Sequence, residues 1–210
     1  MKPSANKVPD STLLRVHLSD GSVESFVQMD KETAQEIWSS LEPARFFSQQ
    51  RIVIAGACSK AVFVCSEIVR LDWLDTSCPC WKFPEGYADV VELSETDFRK
   101  NARLDTPELM PKREQPLSVG DPIVTFGKLH FRNHPPVYLM IEYSVKLPAE
   151  SQTLMQFLLS KTGLHMRLSG GGIGMVNLAH LAGYITYPGT AHVPSDSWPA
   201  EPVITASKDK

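Results

Sequence analysis

Residues 165–189, HMRLSGGGIGMVNLAHLAGYITYPG, admit two readings, and the choice between them decides the fold. A strand running into Gly170, Gly171, Gly172 and Gly174 opens a phosphate cradle if a helix follows, because the helix N-terminus then faces the anion. Neither GxxxxGK[ST] nor GxGxxG is present: Gly174 leads into Met175, Val176 and Asn177, with no Lys or Ser/Thr where a P-loop holds them. The flanking runs 164–168 and 175–187 read as strands, which makes the glycines the tip of a β-hairpin. A helix over 177–184 is the competing assignment, since short apolar runs discriminate poorly. Four glycines exceed what a tip needs, and close approach of another backbone accounts for the surplus.

The hairpin reading gains weight from residues 51–73. There RIVIA (51–55) and AVFVCSEIVRLDW (61–73) are rich in β-branched and aromatic residues and flank a short connection at 56–60. Upstream, LLRVHL (13–18) precedes Asp20-Gly21, a hairpin signal in which both central residues accept positive φ, and a return strand follows over 23–28. Asp30 stands where an N-cap belongs. Ala34, Ile37, Trp38 and Leu41 fall on one helix face, and Pro43 ends the helix. The first part of the chain therefore reads ββαββ.

The order recurs near the C-terminus. Strands are expected over 123–131 and 137–146, parted by Arg132-Asn133-His134-Pro135-Pro136; a helix follows Pro148, with Leu154, Phe157 and Leu158 as its buried stripe and Gly163 as its C-terminal cap. The helices align at an offset of 120 (Ala34 with Leu154) and the last hairpins at 114 (Ile54 with Leu168, Trp73 with Tyr187). The expected fold class is α+β: two ββαββ units of mostly antiparallel sheet, a possible internal duplication, each covered by one helix. The units span 12–74 and 122–189, a Pro-rich connector or interaction arm spans 75–121, and a polar tail spans 190–210.

Composition bounds the function. The chain of 210 residues is 42% hydrophobic and 21% charged, the make-up of a soluble globular protein. A net charge of -3 offers no general attraction to nucleic acid. No signal peptide or membrane-spanning run stands out, so the expected location is cytoplasmic, and the four cysteines are read as thiols. Cys78-Pro79-Cys80 has the wrong spacing for common zinc sites, and the His130/His134 pair sits on strand and turn, so no metal or cofactor is expected. Asp72, Asp75, Glu67 and His180 form no recognisable catalytic set, and no catalytic residue is assigned. Trp73, Trp81, Phe83 and Tyr87 crowd around the start of the connector, where a Pro-stiffened arm presents them at low entropic cost. The expected function is non-enzymatic: an adaptor, assembly or regulatory protein that binds another protein or itself. The alternative is an enzyme or small-ligand-binding protein that uses Gly170, Gly171, Gly172 and Gly174 for a phosphorylated ligand.

Overall fold

The computed structural model describes residues 11–75, 87–105, 122–144, 161–187 and 195–200. The fold is α+β with antiparallel pairing throughout the described registers. The chain forms two compact units, Met1–Trp81 with Arg132–His134 and Lys161–His180, and Lys82–Phe131 with Pro135–Ser160 and Leu181–Lys210.

In the first unit β1 (Thr12–Leu18) and β2 (Val23–Gln28) form the expected hairpin. Its turn differs in kind from the expectation. Leu18 N–H donates to Ser22 O, Gly21 N–H donates to Leu18 O, and of the two central residues only Gly21 has a positive φ (+88). This is a three-residue loop with glycine in the left-handed position, locked by the Asp20 carboxylate accepting from Ser22 N–H and Oγ. Helix α1 (Lys31–Ser40) starts where Asp30 accepts from Thr33 N–H at 2.8 Å. Pro43 ends α1 and also opens the one-turn helix α2 (Pro43–Phe46), where its fixed φ and missing N–H cost nothing.

The long strand expected over 61–73 is broken. Strand β3 (Arg51–Ala55) pairs with β4 (Lys60–Val64), a 3-10 turn occupies Cys65–Glu67, and β5 (Ile68–Leu74) follows. The same break divides 175–187: β9 (Gly163–Arg167) pairs with β10 (Ile173–Asn177), a 3-10 turn covers Leu178–His180, and β11 (Leu181–Tyr187) follows. Gly163, expected as a helix cap, instead begins β9 and lies against the Phe47 ring. The helix expected from 148 lies outside the described residues.

The first unit's strand order is β9-β10-β5-β1-β2, with β3 and β4 as a separate two-stranded sheet. One sheet face presents Val16, Ile68, Leu71, Trp73, Ile173 and Met175 to Trp38 of α1, to Leu41 at its C-cap and to Phe46 and Phe47. Half-buried Ile52, Ile54 and Phe63 of β3–β4 pack on the same core. Each large side chain fully buried there contributes about 1.5–3 kcal/mol.

The second unit contains two elements from the stretch read as a connector. Strand β6 (Tyr87–Leu93) was not expected; α3 (Glu95–Asn101) begins where Ser94 Oγ accepts from Asp97 N–H. With β7 (Pro122–Phe131) and β8 (His134–Ser144) the strand order is β11-β7-β8-β6. Phe98 on α3 anchors this core, with Phe126, Tyr138 and Tyr187 rings at 6.2, 5.0 and 6.0 Å. The prolines at 135 and 136 do not separate the strands as expected: they sit at the start of β8, and left-handed Asn133 makes the turn.

The expected pair of ββαββ units, 12–74 and 122–189, is not confirmed, since β9 and β10 belong to the first unit, but two ladders share a register. The six pairs of β1 with β5, from Leu13↔Leu74 to Leu18↔Ile68, recur in β7 with β11, from Phe126↔Tyr187 to Phe131↔Leu181, at a constant offset of 113. Both ladders slip at the same place, between Leu18 and His17 and between Leu181 and Gly183. Even the hydrogen bond Ser19 N–H to Glu67 O is matched by Arg132 N–H to His180 O. The offset read from sequence was 114, and one residue of slip in a strand exchanges its two faces. Leu71 thus corresponds to Tyr184, not to Ile185.

Candidate functional site

Strand alternation gives β3 and β4 two unlike faces. Ile52, Ile54 and Phe63 turn to the core, while Val53, Val62 and Val64 turn outward and are 51%, 52% and 53% exposed. In the matching hairpin β9–β10, Met175 stands where Val62 stands and is 0% exposed. The cause is pairing: β10 lies along β5, with Ile173↔Trp73, Gly174↔Asp72, Met175↔Leu71 and Val176↔Arg70. Among the described residues β3 and β4 pair only with each other, and β11 pairs only with β7. Tyr184 and Ile185 on β11 are correspondingly exposed. Strand β11, LAGYITY, carries no charge, proline or other device that keeps an edge from pairing.

The glycines have a packing role. The tip at 168–172 closes through Gly171 N–H donating to Leu168 O, with Gly171 and Gly172 at φ +91 and +95. A Cβ on Gly172 would lie 2.0 Å from the Trp73 carbonyl oxygen, so the tip rests on the backbone of β5 and only glycine fits. A Cβ on Gly174 would meet Met166 Cε at 2.8 Å, while Gly170 faces open space. A strand follows the glycines, and a single 3-10 turn occupies part of the 177–184 span where a helix was the alternative.

The aromatic residues separate. Trp73 is 1% exposed, with Trp38 at 6.4 Å between ring centroids, so its indole belongs to the core and not to a docking arm. Tyr87 begins β6 opposite Tyr143, and Trp81 and Phe83 lie outside the described residues. Of the residues singled out from sequence, the structure brings together Trp73 and Gly172, backbone to glycine, and Gly174 beside Asp72.

Sequence reasoning missed a polar cluster on the other face of β1 and β5. His17 Nε2 lies 3.1 Å from Asp72 Oδ2, Arg70 Nε donates to Asp72 Oδ1 at 2.6 Å, and the His134 ring meets His17 edge-on at 5.2 Å. Burial pushes the Asp72 carboxyl upward, but hydrogen bonds from His17 and Arg70 and the guanidinium charge prevail and hold it below the usual carboxylate range. The spacings Arg15-x-His17 and Arg70-x-Asp72 within apolar strands carried the signal: four polar residues on one face. A His–Asp pair is the orienting half of a nucleophilic site, yet no hydroxyl or thiol is hydrogen-bonded to His17 among the described residues. Burial pushes the Cys65 thiol up, which lowers its reactivity, and Cys58 is exposed. No cluster of three or more His, Cys, Asp or Glu suited to a metal ion occurs among the described residues. Nor is any described helix long and apolar enough to cross a membrane.

Comparisons with protein-family models, curated proteins and solved structures find no match to this chain.

Proposed function

We propose that the chain is a non-enzymatic assembly or regulatory protein, built by internal duplication, that works by pairing strands with another protein. The uncharged outer edge of β11, which takes no strand among the described residues, carries this reading, because a strand edge without charge or proline is a template for a partner strand. The outward valines of β3–β4 add an apolar surface of the kind that associates. Duplication is supported by the constant offset and the shared slip of the two ladders, since chance similarity in strand order does not reproduce register. A cytoplasmic setting belongs to the same proposal and agrees with the free thiols of Cys58 and Cys65.

The test compares tagged full-length protein with a Val53→Asp/Tyr184→Asp variant in extracts of the cells that make it. Wild type is expected in a complex of defined stoichiometry and the variant at the mass of a single chain, with unchanged circular dichroism. A wild-type chain that runs as a lone monomer in the extract overturns the reading. The same reading expects nucleotides and inorganic phosphate to leave the melting temperature unchanged.

A further inference from the structure

We infer that the partner is a second copy of this chain, and that β4 of one copy pairs with β11 of the other in the register that β10 adopts on β5. The inference rests on the proposal above and supplies its partner. The molecule holds its own template. In one half the ladder β1–β5 is extended by a hairpin of two five-residue strands, β9–β10, seated on the outer edge of β5. In the other half the equivalent ladder β7–β11 keeps the same register, and the equivalent outer edge, that of β11, takes no described strand. The equivalent hairpin is β3–β4, also two five-residue strands, and it too has an edge without a described partner.

Moving the observed β10–β5 pairs by the offset of 113 gives the register between copies: Lys60↔Thr186, Ala61↔Ile185, Val62↔Tyr184 and Phe63↔Gly183. The side chains suit it. Val62 and Tyr184, both exposed, become a β-branched and aromatic cross-strand pair, a favourable combination. Exposed Ile185 meets small Ala61, and Gly183, with open space where a Cβ would stand, leaves room beside Phe63. A register one residue away would put Val62 against Gly183 or Ile185 and lose these matches. Each copy offers one donor edge and one acceptor edge, so two copies can satisfy each other.

The experiment uses full-length chains carrying Cys58→Ser. One preparation adds Val62→Cys, the other Tyr184→Cys; they are mixed, oxidised and digested, and linked peptides are identified by mass spectrometry. Ala61→Cys with Ile185→Cys is the second in-register pair, and Val62→Cys with Ile185→Cys is the out-of-register control. Expected are 62–184 and 61–185 links between chains, no 62–185 link, a wild-type mass twice the 23.4 kDa of one chain by light scattering, and at least a tenfold weaker dimer in Tyr184→Asp. The inference is overturned by a persistent single-chain mass, by a 62–184 link that is missing from the mixture and forms only within single chains of a Val62→Cys/Tyr184→Cys double variant, or by a dimer that links elsewhere. In the first two cases binding to a different protein in the extract would still stand, and in the third self-association would stand without this register.

Discussion

The hairpins β3–β4 and β9–β10 have the same strand lengths and opposite fates. One turns three valines to solvent; the other is buried to the point that no residue of β10 is exposed. Local sequence does not account for this, since RIVIA and KAVFV are at least as apolar as GLHMR and IGMVN. What differs is whether an edge is taken. Strand β5, with β1 on one side and β10 on the other, is buried nearly throughout, while β11, at the matching place in the other ladder, has only β7 beside it among the described residues. Burial in this fold is a property of pairing more than of composition.

The contrast can be broken most severely at the tips. Gly172→Val places a branched side chain at positive φ and into the Trp73 carbonyl, and the expected outcome is loss of about 4 kcal/mol or failure to fold in urea titrations. Gly56→Ala in the other tip, where the nearest atom to a new Cβ is Ser59 Oγ at 3.7 Å, should change stability by less than about 1 kcal/mol. Next come the matched core and surface positions. Met175→Ala should lose about 2–5 kcal/mol, and Val62→Ala under about 0.5 kcal/mol in the monomer, by the same titration. Equal losses would mean that both hairpins are docked.

pH-dependent effects come from titration at and beside the β10–β5 seam. The Asp72 carboxyl is held below its ordinary value of 3.8, so the stability it contributes is present above pH 3.8 and lost as pH falls through the lower folded value. Asp72→Asn should cost about 3 kcal/mol at neutral pH and flatten the acid limb of a urea-stability profile. On β9, burial and then the Lys161 charge push His165 down to about 4 from 6.5. Its unfolded form therefore binds the proton first. Stability present above pH 6.5 should fall by up to about 1.4 kcal/mol per pH unit down to pH 4, and His165→Gln should remove that slope. The exposed counterpart Val53 has no such slope to give, so a profile unchanged by His165→Gln would contradict the burial of β9.

Much of the local structure was legible because it depends on local chemistry. Asp20-Gly21, the Asp30 cap and Pro43 each announce themselves through a backbone requirement that few other residues meet. The two 3-10 turns did not, because CSE and LAH contain neither glycine nor proline, and the runs around them read as unbroken strands. The likeness of the two ladders was visible but one residue out of step, since alternating apolar residues fix a period and not a phase. Strand β6 and the seat of β10 on β5 depend on partners far away in sequence. The glycine surplus was the exception: it pointed to a close backbone approach, and Trp73 supplies it. His17, Arg70 and Asp72 were readable as polar residues, but their meeting required the β1–β5 register.

The β10–β5 pairing also sets a timetable. Leu71 and its neighbour Met175 are separated by 104 residues, so a ribosome adding about 5–20 residues per second completes β5 roughly 5–20 seconds before its covering strand exists. During that interval the nascent chain displays a hydrophobic strand edge, with β4 only a 3-10 turn away as an incorrect local substitute. Slow refolding and sensitivity to translation speed downstream of residue 75 are expected of a pairing that closes so long a loop.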